Sequence, residues 1–263
     1  MSTLDRLLQA RRDGGPGQPA ATGRPLAAGF WVLIDPDRHA PAEAARRAEA
    51  AQRAGADAIL VGSSILISDN FAATVELVKR AASVPVLLFP GSTAQLSGDA
   101  DAVLFLSLIS GRNPELLIGQ HVRAAPVIRS LGLEVIPTGY LLIESGTLTA
   151  TEYMSDTKPI PRAKPDIAMA HALAAEYLGM RLVYLDAGSG ARQPVPPEMI
   201  AACASYITLP IIVGGGIHDG AAAQAAVSAG ASFIVVGNAL ERARGGALLG
   251  ELAAAVHGAP IPA

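Results

Sequence analysis

"PIIVGGGI" (210–217) sets an apolar, β-branched run against three glycines, and "FIVVGNAL" (233–240) repeats the plan with a glycine and a small polar residue at its end. A run that is apolar without alternation is what a strand needs when both its faces are buried, the condition of a parallel sheet covered by helices. Six more such runs precede these two: "FWVLIDPD" (30–37), "DAILVGSS" (57–64), "PVLLFPGS" (85–92), "AVLFLSLISG" (102–111), "EVIPTGYLLI" (134–143) and "RLVYLDAGSG" (181–190). Helix-like stretches lie between most of them. One is "APAEAARRAEAAQRAG" (40–55), which has proline near its start and glycine at its end. Eight strand-like runs alternating with helices predict an α/β chain folded as a (β/α)8 barrel, with a doubly wound open sheet as the alternative topology.

Two connections break the rhythm. Between the third and fourth runs stands only "TAQLSGDAD" (93–101), too short for a crossover helix with its loops. The third barrel helix is therefore expected to be missing or reduced to a turn, leaving a groove on that side. The fifth connection, "ESGTLTATEYMSDTKPIPRAKP" (144–165), is long and polar, and reads as a functional loop over the barrel mouth.

Composition bounds the function. The chain has 263 residues, of which 51% are hydrophobic, enough for a sizeable core. A net charge of −3 and the lack of a basic cluster argue against a nucleic-acid partner. One cysteine, Cys203, excludes a disulfide framework and a cysteine-built metal site. Residues 1–25 read as a short amphipathic helix (3–11) followed by a flexible Gly/Pro/Ala linker (13–25), and residues 26–263 as a single barrel domain. No stretch has the length of a membrane span or a signal peptide, which points to a cytoplasmic protein.

In barrels of this kind the chemistry lies at the C-terminal ends of the strands. Those ends carry Asp35 and Asp37, Ser63 and Ser64, Pro90 and Gly91, Ser107, Thr138 and Tyr140, Asp186 to Gly190, Gly214 to Gly216, and Gly237 with Asn238. Barrels often bind phosphate after strands seven and eight, where glycines let backbone N–H groups approach an anion. The helix following Gly237 would add its N-terminal partial charge. A structural alternative is that the glycines only make tight turns. Asp35 is placed to hold Mg²⁺ with Ser64 across the mouth, whereas Asp37 reads as a helix cap. The histidines, His39, His121, His171, His218 and His257, stand at no metal-ligand spacing. Sugar-phosphate isomerases and aldolases are the rival class, but none of the lysines, Lys79, Lys158 and Lys164, ends a strand. A non-catalytic binder of a phosphorylated ligand would have no need of Asp35 and Asp186.

With these residues in view, the chain resembles the geranylgeranylglyceryl phosphate synthase family over roughly residues 28–242. The marks are "LIDPD", "DAILVGSS", "PVLLFPGS", "LFLSLISGRNPE", "IPTGYLLI", "YLDAGSGA", "IVGGGI" and "IVVGNALE", with wording similar to the family's second group of archaeal and Bacteroidetes type. The resemblance implies a prenyltransferase of ether lipid synthesis that joins a polyprenyl (geranylgeranyl) diphosphate to sn-glycerol 1-phosphate and releases pyrophosphate. It implies Mg²⁺ on Asp35 and Ser64. The acceptor would lie on Tyr184, Leu185, Asp186, Ala187, Gly188, Ser189, Gly190, Gly214, Gly215, Gly237 and Asn238. Asp186 and Asp35 are the implied catalytic residues, with Tyr140 lining the prenyl groove. A homo-oligomer, dimer or hexamer, with peripheral membrane contact through the lipid product, belongs to the same expectation. Two positions depart from the pattern: Asp186 stands where many members have Glu, and His218 where many have Arg. A related enzyme prenylates 3-phosphoglycerate, so the acceptor and the chain length stay open.

Overall fold

The computed structural model describes residues 1–12, 27–237 and 246–258. The expected linker, 13–25, lies wholly outside these, as do Asn238 and the start of the helix expected after it. Eight parallel strands close into a barrel: β1 (Gly29–Ile34), β2 (Ala58–Val61), β3 (Val86–Leu88), β4 (Ala102–Leu108), β5 (Glu134–Leu142), β6 (Leu182–Asp186), β7 (Ile211–Gly214) and β8 (Phe233–Val236). The closure is made by β8 on β1, with Trp31 opposite Val235.

Each strand feeds two separate cores. Outward residues such as Phe30, Ile59, Val183, Leu185 and Ile234 join the layer beneath the helices. Inward residues such as Trp31, Leu60, Leu104, Tyr184, Ile212 and Phe233 fill the barrel. Side chains of a strand alternate between faces, so a strand buried on both must be apolar at nearly every position. That is why the eight runs show no polar alternation.

The helices are α1 (Thr3–Arg12), α2 (Pro41–Arg53), α3 (Phe71–Ala81), α4 (Gln120–Leu131), α5 (Ala150–Ser155), α6 (Pro165–Tyr177), α7 (Pro197–Ala204), α8 (Gly220–Ser228) and α9 (Gly246–Gly258). Between β3 and β4 there is no helix, only turns. A π-helical turn, Glu115–Gly119, leads into α4.

The first helix stoppers the N-terminal end of the barrel. Leu4 and Leu7 are buried in the inner core with Trp31 and Leu104, each burial stabilising by roughly 1.5–3 kcal/mol. The N–H groups of Thr3 and Leu4, which have no intrahelical acceptor, donate to the Glu134 carboxylate. The Arg11 guanidinium lies 5.2 Å from the centre of the Phe233 ring, which stacks on Trp31.

Candidate active site

At the other end, a cavity of about 250 Å³ opens over the C-terminal strand ends and continues down the side that lacks a helix. Its inner part is polar and glycine-rich, with Asp35, Asp186, Gly188, Gly215 and Gly237 on its wall. Its outer part is apolar, with Leu96 from the third connection, Val103 and Phe105 from β4, and Leu116, Ala124 and Ile128 from the α4 region. The groove expected from the missing helix is this outer part.

Asp186 ends β6 and is 6% exposed. One carboxylate oxygen accepts from Gly188 N at 2.8 Å, and the other from the hydroxyl of Tyr140. Burial pushes the Asp186 pKa up; the bonds from Tyr140 and Gly188 pull it down without cancelling the rise. Burial likewise pushes the Tyr140 and Tyr184 hydroxyls well above their ordinary value, with the Asp186 charge adding to it. Tyr184 stacks on Phe89 at 5.3 Å and meets Tyr140 edge-on at 5.3 Å, so the floor of the site is aromatic and rigid.

Asp35 follows β1 and faces the cavity with its side chain 21% exposed. One oxygen accepts from Asp37 N at 3.0 Å, the other from Ser63 Oγ at 3.2 Å, and Arg38 Nε lies 3.7 Å from that second oxygen. Ser64 lines the cavity too, but its hydroxyl is 3.4 Å from Thr151 Oγ1. Asp37 does not cap α2. Its carboxylate accepts from Ile67 N, Ser68 N and Ser68 Oγ, so it ties down the β2–α3 loop instead. These bonds hold its pKa below the usual carboxylate range against the opposing effect of burial.

Gly214, which ends β7, and the two glycines after it each answer to a neighbour. A Cβ on Gly214 would come within 2.3 Å of the Tyr184 hydroxyl, and one on Gly215, at φ +77°, within 2.6 Å of Asp186 Oδ1. Gly215, Ser189, Gly190 and Tyr140 line the cavity, as does the exposed His218. Leu185 and Ala187 do not: both pack outward beneath the helices. Gly214 stands behind Tyr184, and Asn238 is outside the described residues. Among the described residues no three His, Cys, Asp or Glu come together as a metal cage, and no helix is long and apolar enough to cross a membrane. Cys203 is buried and its thiol is pushed up to about 12.

The fifth connection crosses the mouth. Thr149 caps α5 by accepting from Glu152 N and lies against Gly188, where a Cβ would come within 2.6 Å of its Oγ1. Thr151 reaches Ser64 on the opposite side and also the Tyr140 hydroxyl. Sequence reasoning placed this loop over the mouth but found neither threonine, because each acquires meaning only from a partner on another strand end.

The similarities to known proteins fall on this architecture. A geranylgeranylglyceryl phosphate synthase of Chitinophaga pinensis is 52% identical over 230 residues, covering 88% of this chain and 90% of that protein. One of Thermococcus gammatolerans is 49% identical over 214 residues, covering 81% and 84%. The crystal structure of (S)-3-O-geranylgeranylglyceryl phosphate synthase from Thermoplasma acidophilum, in complex with its substrate sn-glycerol-1-phosphate, superposes with a TM-score of 0.89 at 33% identity, covering 98% of this chain and 99% of that one. Residues 26–255 match the model of the PcrB family. The chain therefore belongs to the PcrB family, that of the geranylgeranylglyceryl phosphate synthases, and is a prenyltransferase.

Proposed function

We propose that this chain transfers a polyprenyl group, geranylgeranyl, from its diphosphate to the free hydroxyl of sn-glycerol 1-phosphate, with Mg²⁺ and with release of pyrophosphate. The observation that carries this reading is one cavity that joins a buried carboxylate and a glycine-rich rim to an apolar groove. A small phosphorylated alcohol fits the first part and a hydrocarbon tail the second. The bound sn-glycerol-1-phosphate of the Thermoplasma acidophilum relative supports the acceptor.

The acceptor hydroxyl loses its proton to Asp186. Desolvation makes this carboxylate a stronger base than a solvated one, and Tyr140 and Gly188 fix the direction of its lone pairs. Gly215 and Gly237 line the cavity, where their backbone N–H groups would receive phosphate oxygens and so hold the hydroxyl in place for attack. Asp35 fits a hard cation: its partly exposed carboxylate lines the open mouth, and Ser64 lines it from the end of the neighbouring strand. Bound there, Mg²⁺ would neutralise charge on the diphosphate leaving group. The apolar walls at Val103, Phe105 and Ala124 keep the tail out of water. The reading includes a cytoplasmic homo-oligomer that meets membranes through its lipid product.

The test is incubation with Mg²⁺, labelled sn-glycerol 1-phosphate and prenyl diphosphates of C10 to C35, with product length read by chromatography and an EDTA control. Competing 3-phosphoglycerate should react more slowly, because its carboxylate would face that of Asp186. Faster prenylation of 3-phosphoglycerate would move the acceptor assignment, and activity in EDTA would remove Mg²⁺.

A further inference from the structure

Where a third barrel helix would stand, one side chain stands in for it. Gln95 is fully buried, and its amide pairs with both backbone groups of a single residue. Ser63 N donates to Gln95 Oε1 at 3.0 Å, and Gln95 Nε2 donates to Ser63 O at 2.7 Å. The arrangement imitates a strand ladder beyond the point where the ladder stops. The backbones here are pressed together: a Cβ on Gly62 would come within 1.8 Å of Phe89 O, and one on Gly91 within 2.3 Å of Ser63 O. Ser63, held in this way, turns its hydroxyl onto Asp35 Oδ2 at 3.2 Å.

We infer that Gln95 is a positioning residue for the Asp35 carboxylate, acting through Ser63. The relay is Gln95 amide, Ser63 backbone, Ser63 hydroxyl, Asp35 oxygen: hydrogen bonds of 2.7 and 3.0 Å join the first pair, covalent bonds the second, and a hydrogen bond of 3.2 Å the last. It fixes which Asp35 oxygen is occupied and which lone pairs stay turned to the mouth. Outer-shell contacts of this kind orient a metal-binding carboxylate and tune its affinity. The peptide of Ser63 is the only part of the β2–α3 loop that Gln95 needs to grip. The third connection can therefore give up its helix, and with it the cover over the groove, without loosening the metal side of the mouth.

The inference rests on Asp35 as the Mg²⁺ ligand, and the experiment separates the two. The full chain is titrated calorimetrically with inorganic pyrophosphate, with Mn²⁺ as the probe cation and again in EDTA. The ratio of the two dissociation constants measures how far the metal tightens pyrophosphate. Wild type should show a strong tightening, and Asp35→Asn should abolish it. Gln95→Ala and Ser63→Ala should each reduce it about tenfold, the scale of a lost outer-shell partner. The dissociation constant for sn-glycerol 1-phosphate should change by no more than about twofold. The double variant should be no worse than Ser63→Ala, because the two act in series. Gln95→Glu keeps the volume and the acceptor for Ser63 N but not the donor to its carbonyl. It should show a smaller loss of the same kind, and it serves if Gln95→Ala fails to fold. If Asp35→Asn loses the tightening while the Gln95 variants keep it, or if the Gln95 and Ser63 losses multiply, the positioning role is overturned. If Asp35→Asn keeps it, both readings fall.

Discussion

The Tyr140 hydroxyl donates to the Asp186 carboxylate from the neighbouring strand, inside the barrel rather than at its rim. This bond stabilises the charged form of a carboxylate that burial pushes toward the neutral one. Removing it with Tyr140→Phe should therefore raise the Asp186 pKa further. Asp186 must be ionised to take a proton, so the acid limb of the pH–kcat profile should move to higher pH. At its optimum the variant should lose about tenfold, the scale of one hydrogen bond to a charged group. An acid limb unmoved by the substitution would separate Asp186 from the proton transfer.

The same burial makes Asp186 costly to the fold. With a folded-state pKa above the ordinary value, the native state holds a proton that the unfolded chain has released. Stability is then greatest below the ordinary carboxylate pKa and falls as pH rises through the folded one. Asn carries no charge, and it can accept from Gly188 N while donating to Tyr140. Asp186→Asn should melt at or above the wild-type temperature at neutral pH, lose that advantage near about pH 4, and lose activity by about 100-fold or more. Thermal scans at both pH values, with turnover alongside, test this.

Gly215→Ala strikes the base and the backbone together. Its added Cβ would sit 2.6 Å from Asp186 Oδ1 and 2.7 Å from Gly188 N, at φ +77°. The expected result is a fall in kcat together with a rise in the acceptor KM, and a stability loss of about 1 kcal/mol or more. Gly132→Ala is the control, since Gly132 is also left-handed at φ +68° but an added Cβ meets nothing within 4 Å. It should lose stability and no activity. A Gly215→Ala enzyme with normal kcat and only a weakened acceptor would show that Asp186 had not moved.

Ala124 faces the apolar groove from α4, one turn before Ile128. Ala124→Phe fills that passage. The KM for geranylgeranyl diphosphate should rise about tenfold or more, while a C10 donor should change by no more than about twofold, because only the longer tail reaches so far. Steady-state kinetics with C10, C15 and C20 donors decide it, and equal effects on all three would place the tail elsewhere.

The barrel was readable because burial on two faces leaves little room for polar residues in a strand, and eight such runs can close only in a few ways. The missing helix was readable from length alone. Asp35, Asp186 and the glycines stood out because they interrupt apolar runs at the ends where a barrel does its chemistry. Asp37 misled because a carboxylate before a helix ordinarily caps it, whereas here Ile67 and Ser68 of the next loop claim it first. Gln95 and Thr151 were silent because nothing local marks them. Their partners lie 32 and 87 residues away in sequence, brought near only by the tertiary fold: by the pairing of β2 with β3 for Gln95, and by α5 reaching over the mouth for Thr151.

The stopper formed by Leu4 and Leu7 makes the barrel a blind well. Among the described residues, the polar part of the cavity opens at the mouth that α5 crosses, and the apolar part opens as a side slot where a helix is absent. A molecule with a polar head beneath α5 and a tail in that slot spans both openings at once.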